Sequence, residues 1–181
     1  MNQIGTPRLT MTLAELKDLP ALEEIEKECG KYFAFDPPYA GDHNRAIGDC
    51  LTAGDFIPNI KDEDYKRENY YLHCIWQDDA LIGWLSYYLE YLQRDGVYLS
   101  MLYIKESYRA KGIGAEILAA LALHFAAAGF RRIRLHCSLR NATALRFWVK
   151  NGFDRIMDVE CNGNLFPENF GGIELMKTIA R

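Results

Sequence analysis

The sequence predicts an α/β fold of the mixed, α+β-like kind, in which one twisted, mostly antiparallel sheet carries helices on both faces and contains a single parallel strand-helix-strand unit. Three observations carry this expectation. Val97-Tyr98-Leu99-Ser100-Met101-Leu102-Tyr103-Ile104 is rich in β-branched and aromatic residues and short enough to be one buried strand. Glu116 to Ala128 has apolar residues at 117, 118, 121 and 125, which is helical spacing, and Gly129 stands where a left-handed residue ends a helix. Arg131 to Cys137 then reads as a second strand with Ile133 and Leu135 on one face. Strand, helix and strand in succession require a right-handed crossover and parallel strands.

The remaining elements follow in chain order. Leu9 to Thr12 predicts a short strand, and Leu16 to Cys29 an amphipathic helix with Leu19, Leu22 and Ile25 inward. Asp36-Pro37-Pro38-Tyr39 is a rigid turn, His43 to Ala53 a second helix, and the polar stretch 54–69 a loop. Tyr70 to Gln77 and Leu81 to Glu90 form a hairpin around Asp78-Asp79. After the strand-helix-strand unit comes a short helix capped by Asn141, with Gly152 just past its end. Asp154 to Cys161 and Ile173 to Ile179 close the chain as a strand pair.

Length and composition bound the function. The 181 residues, 49% of them apolar, suffice for one domain over 1–181 with its own core. A net charge of −4 without a basic stripe argues against a nucleic-acid surface. No run of about 18 uncharged apolar residues occurs, so no membrane partner is expected. The first residues lack the charge and apolar core of a signal peptide, and five cysteines without a C-x-x-C pair fit free thiols in the cytoplasm. The four histidines show no ligand spacing, and no metal is expected.

Between the first strand and its helix lies Arg109-Ala110-Lys111-Gly112-Ile113-Gly114. A helix that follows a strand presents unbonded backbone N–H groups at the positive end of its dipole, where phosphate oxygens fit. Gly112 and Gly114 let the backbone close around an anion, and Arg109 and Lys111 add charge. A plain tight turn with solvated basic residues is the alternative. Two phosphate loops are excluded: a P-loop needs Lys-Ser/Thr where Ala115-Glu116 stand, and a dinucleotide fingerprint needs a third glycine where Ile117 stands.

With Asn141-Ala142-Thr143-Ala144-Leu145-Arg146-Phe147-Trp148-Val149-Lys150-Asn151-Gly152-Phe153 added, the chain resembles the GCN5-related N-acetyltransferase (GNAT) superfamily. Arg109, Gly112 and Gly114 match its loop pattern Gln/Arg-x-x-Gly-x-Gly/Ala. Asn141, Ala144, Phe147, Gly152 and Phe153 match its later block, with Trp148 where a Tyr is usual. The motif-bearing part covers about 97–160. The resemblance implies acetyl-CoA as donor, its diphosphate on the N–H groups of Arg109, Ala110, Lys111, Gly112, Ile113 and Gly114. Its pantetheine arm would lie between two splayed strands against the backbone of Leu102, Tyr103 and Ile104, with Asn141, Ala144, Phe147 and Trp148 flanking it. It also implies a GNAT-like sheet and direct acetyl transfer to a primary amine of a small molecule or peptide. An acyl-CoA binding or sensing module with little turnover is the alternative.

The attacking amine must be neutral, which costs roughly 4 to 5 kcal/mol at pH 7 for a lysine-like amine and roughly 1 kcal/mol for an α-amine. A general base matters more for the former. The family often carries a Glu on the strand before the loop, yet 97–104 contains no carboxylate. Glu90 is the candidate base, acting through water, against the plainer reading of a solvated hairpin carboxylate. Tyr98 is the candidate relay, against that of a buried phenol bonded to backbone. Strict alternation puts Tyr98 and Ser100 on one face and Tyr103 on the other. Trp148 donates an N–H but is no acid for the departing thiolate, whose pKa of about 8.5 makes protonation helpful without being essential. Asn141 has two readings, helix N-cap and cofactor contact, and Ala144 and Phe147 read more plainly as packing residues than as chemistry.

Acids at 15, 18, 23, 24, 26 and 28 and along 36–68, near Tyr32, Phe33, Phe35 and Tyr39, suggest a cationic acceptor, or simply the wet faces of surface helices. Leu165, Phe166 and Phe170 in the last loop suggest a homodimer contact or a wall of the acceptor site.

Overall fold

The computed structural model describes residues 3–33, 46–161 and 171–180, the side chains of 29–33 excepted. The turn at 36–39 and the apolar residues of the last loop lie outside these residues. In chain order the described residues form β1 (Gln3–Gly5), β2 (Thr10–Leu13), α1 (Leu19–Phe33), α2 (Ile47–Ala53), β3 (Tyr70–Gln77), β4 (Ala80–Leu89) and β5 (Gly96–Ile104). Then come α3 (Ile113–Ala127), β6 (Arg132–Ser138), α4 (Ala142–Lys150), β7 (Arg155–Cys161) and β8 (Gly171–Thr178). The strands make one sheet in the order β1-β2-β3-β4-β5-β6-β8-β7, antiparallel except for β5 beside β6.

Periodicity places the core on both sides of this sheet. On one face, Ile117, Leu118, Leu121 and Phe125 of α3 pack on Ile75, Leu85, Tyr87, Val97, Leu99, Ile133 and Leu135. On the other, Leu22 and Ile25 of α1 and Ile47 and Cys50 of α2 cover Tyr70, Leu72, Trp84, Tyr88, Tyr98 and Tyr103. Ala46 offers no side-chain cap to α2, and the carboxylate of Glu26 on α1 instead accepts the Ile47 N–H at 2.9 Å.

Several boundaries depart from the sequence reading. The first strand is a hairpin: Ile4 pairs with Met11, and β1 is too short, with one buried residue, to leave a periodic signal. The first helix opens as a 3₁₀ turn at Leu16–Asp18 and runs on through Gly30 to Phe33, because the helix carries the glycine within its span. The second helix is described from Ile47, residues 43–45 being outside the described set. The third begins at Ile113, since Gly112, left-handed at φ 79°, serves as its N-cap.

One facial assignment is corrected. Ser86 pairs with Met101 and Tyr87 with Leu99, so Ser100 is an extra residue bulged out of β5. The bulge resets the alternation and puts Tyr103 on the same face as Tyr98. It also bends β5 two residues past its last pair with β6.

Candidate active site

Ala110 at φ 59° and Gly112 at φ 79° follow extended Arg109, and Gly112 runs directly into right-handed α3; a left-handed residue next to a right-handed one turns successive N–H groups inward, the geometry of a concavity suited to an anion. The first N–H of α3 to bond back along the helix is that of Glu116, to Gly112 O at 3.1 Å, so the groups before it have no acceptor inside the helix. Lys111 Nζ donates to Ser107 O at 2.8 Å and lies 5.4 Å from the Tyr108 ring centre. Gly114 has a packing reason: a Cβ there would stand 2.9 Å from Phe147 Cζ. The two sequence motifs therefore touch each other.

Sequence reading missed Arg8. From the β1–β2 turn its Nε donates to Glu116 Oε2 at 2.6 Å, its Nη2 pairs with the same oxygen at 2.5 Å, and its Nη1 donates to Lys111 O at 3.3 Å. Thr6 Oγ1 donates to Glu116 Oε1 at 2.5 Å. These partners, Thr6 foremost, hold the Glu116 carboxyl below its ordinary pKa. The carboxylate in the first turn of α3 is thus offset by a guanidinium.

The parallel pair β5–β6 is short: Gly96, Val97 and Tyr98 pair with Arg132, Ile133 and Arg134, and the ladder stops there. Beyond that point β6 stays with β8 as far as Ser138, and β5 stays with β4 as far as Ile104. The bulge at Ser100 adds local twist to β5 at the point of separation. Lys105 N–H bonds to Ile82 O at 2.8 Å, so by the two-residue period the backbone groups of Leu102 and Ile104 face the edge that β6 has left. Arg109 Nε donates to Ile104 O at 2.6 Å, and its guanidinium lies 5.0 Å from the Tyr103 ring centre.

Asn141 caps α4: its Oδ1 accepts the Ala144 N–H at 3.0 Å. Ala144, Phe147 and Trp148 pack on the α3-side core, with Trp148 at 4.8 Å from Phe147 and 5.5 Å from Phe153 between ring centres. Tyr98 is buried at the last paired position, its ring 4.7 Å from Tyr91. Glu90 stands apart. It is exposed at the far end of β4 with φ 59° and faces Lys66 Nζ at 3.9 Å, whereas Leu102 to Ile104 lie about 20 Å along β5 from the Val97 end.

Two carboxylates that the sequence did not single out lie on the face of Tyr98. Glu174 of β8 is buried, pairs with Arg134 Nη1 at 3.0 Å and accepts from Tyr91 Oη at 3.4 Å. Asp55, half-buried after α2, accepts from Ser100 Oγ at 3.1 Å. Asp55 belongs to the acid-rich stretch 36–68, which the sequence marks only as a group, and Glu174 carries no signal because it lies on a strand far from the motifs. Among the described residues no group of three metal-ligating side chains comes together, and no described helix is long and apolar enough to cross a membrane.

Comparison with known proteins fits this geometry. The model of the acetyltransferase (GNAT) family matches residues 22–153. No curated protein matches the sequence. Among solved structures, the chain is similar to an acetyl transferase from Salmonella typhimurium that modifies the N-terminal serine of the 50S ribosomal subunit protein L7/L12, with 16% identity, TM-score 0.72, and 98% and 99% of the two chains covered. It is similar to yncA from Salmonella typhimurium with its cofactor acetyl-CoA, at 16% identity and TM-score 0.67, over 96% and 95%. It is likewise similar to the ribosomal-protein-S18-alanine N-acetyltransferase from Escherichia coli, at 17% identity and TM-score 0.67, over 96% and 95%. At these identities the likeness to solved structures is one of fold. The family model, spanning most of the chain, gives the assignment: this protein belongs to the GNAT family of acetyltransferases.

Proposed function

We propose that this chain is a single acyl-CoA N-acyltransferase-like domain that moves acetyl from acetyl-CoA to a primary amine by direct attack within a ternary complex. The carrying observation is the parting of β5 from β6 after Tyr98 and Arg134, with an anion concavity at the far end of the opened edge. In this reading the N–H groups of 110–114 take the diphosphate, and the edge groups of Leu102 and Ile104 pair with the pantetheine amides. The thioester then lies between the strands, near Ser100. The free thiols of Cys50, Cys74, Cys137 and Cys161 support a cytoplasmic setting.

Tyr98 lines the amine side and relays a proton within that wall. Trp148 packs on Phe147 and Phe153, so the thiolate leaves without a protein acid, as its pKa of about 8.5 permits. Trp148→Phe therefore keeps kcat within about threefold of wild type, because an indole N–H supplies no proton at neutral pH.

Calorimetry with CoA, followed by thiol release from acetyl-CoA with a panel of amines, tests the reading. Heat with CoA and amine-dependent thiol support it. Heat without thiol from any amine supports a sensing module instead, and no heat with CoA ends the assignment.

A further inference from the structure

Among the described residues the sheet ends on two edge strands of different character. β1, at one end, has three residues with one of them buried, and a strand so short offers little to a neighbour. β7, at the other, runs seven residues without proline, glycine or lysine, and all of them but Glu160 are exposed. An edge strand of that length presents a row of backbone N–H and C=O groups to any strand laid beside it. Its apolar side chains are bare as well, with Ile156, Met157 and Val159 at 64%, 40% and 57% exposed.

A bulge arranges these side chains. Ile156 pairs with Leu175, Asp158 with Glu174 and Val159 with Ile173, so Met157 is an extra residue in β7. Ile156 and Val159 therefore share a face although three positions separate them. Leu175 belongs to the α3-side core and Ile173 packs against it, so the apolar layer of that face runs on to the sheet edge. Arg155, Asp158 and Glu160, opposite Met176, Glu174 and Gly172, lie on the other face.

We propose that β7 is the contact between two copies of this chain, paired antiparallel about a two-fold axis that passes between Met157 and Asp158, normal to the sheet. In that register the strand is complementary to itself. On the α3 face Ile156 of each copy stands opposite Val159 of the other, which joins the two apolar layers. On the other face Arg155 of each copy stands opposite Glu160 of the other, with Asp158 at the diagonal position, so opposite charges meet at both ends of the pair. A slip of one residue either way sets Ile156 against Asp158 or Glu160, on mismatched faces, and the pleat excludes it. A strand of unrelated sequence would gain the backbone bonds alone; a second copy adds the apolar and the charge match. The contact uses the same surface on both copies, so it closes on a pair and leaves no edge for a fibre.

Sedimentation velocity over a concentration series compares wild type with Val159→Lys, Arg155→Glu and Glu160→Arg, circular dichroism reporting the fold of each. Wild type is expected to dimerise reversibly as its concentration rises, with the β7 amides gaining protection from hydrogen exchange. Val159→Lys is expected to be monomeric, and each charge variant to dimerise about tenfold more weakly, because like charges then stand opposite each other at two places. Mixing Arg155→Glu with Glu160→Arg restores opposite charges at both places, and the mixed pair is expected to associate about as tightly as wild type. A wild type that stays monomeric up to its solubility limit overturns the proposal. So does a dimer whose strength none of the variants changes, or a mixture that associates no better than its components. The exchange readout needs no variant, and a dimer whose β7 amides stay unprotected overturns the proposal even where a variant fails to fold.

Discussion

Gly112 and Gly114 sit two residues apart in one loop and fail differently when substituted. At Gly112 the backbone is left-handed, and the nearest atom to an added Cβ is Arg8 Nη2 at 3.7 Å, so Gly112→Ala meets strain and no clash. The expected cost is about 1 to 2 kcal/mol, read from a denaturation curve, with weaker CoA binding as the concavity flattens. At Gly114 the backbone is helical, and an added Cβ meets the Phe147 ring. Gly114→Val therefore pushes α4 off α3, and the expected result is a lower Tm together with loss of CoA heat. Asn141→Ala removes the cap of α4 and costs about 1 kcal/mol, with hydrogen exchange at Ala144 rising first. Among single residues the sequence was most legible where backbone chemistry restricts the choice. Gly112, Gly129 and Gly152 all take positive φ, and Asn141 caps as its helix-start position implies. It was least legible at Asp55, Arg134 and Glu174, whose neighbours come from distant segments.

The elements that frame the loop are held by contacts no local pattern reveals. The β1–β2 hairpin docks on α3 through Thr6, Arg8 and Glu116, over more than a hundred residues of sequence. Because the folded pKa of Glu116 is depressed, its contribution is present above the unfolded carboxylate value and lost as pH falls through the folded one. Glu26, the cap of α2, has the opposite sign. Burial raises its folded pKa, so stability falls as pH rises through that value. Hydrogen exchange of β1 and β2 as the pH is taken from about 6 to about 3 is expected to show undocking at the acid end in wild type and no such step in Glu116→Gln. Arg8→Ala is expected to cost under about 1 kcal/mol, since the guanidinium is half exposed and water screens the pair. At this scale the sequence anticipated the hairpin of β3 and β4 and the crossover of β5, α3 and β6, because long apolar periods are strong signals. The β1 strand and the bulge at Ser100 escaped it, being one short element and one inserted residue.

Across the molecule, the sheet behaves as two halves that share three residue pairs. One half ends in β5 and carries the loop and α3; the other is β6 with β8 and β7. Arg134 and Glu174, side chains 12% and 7% exposed, join at the line of separation, and Tyr91 and Asn59 continue the network across it. Removing one partner leaves the other charge buried, so Glu174→Ala is expected to destabilise by about 3 kcal/mol or more in chemical denaturation. Replacing Arg134 together with Glu174 by apolar residues of similar size is expected to recover much of that loss, which a double-mutant cycle would measure.

The sequence by itself determined the mixed sheet, its parallel unit and the glycine turn that starts α3, because each is written in short-range terms: period, turn chemistry and a helix start. The order of strands, the early parting of β5 from β6 and the delivery of Asp55 to Ser100 were decided only by the tertiary structure. Each depends on which partner a strand keeps along its whole length, and β6 keeps β8 while β5 keeps β4. A choice between two neighbours is settled by packing across the sheet, which no window of adjacent residues contains.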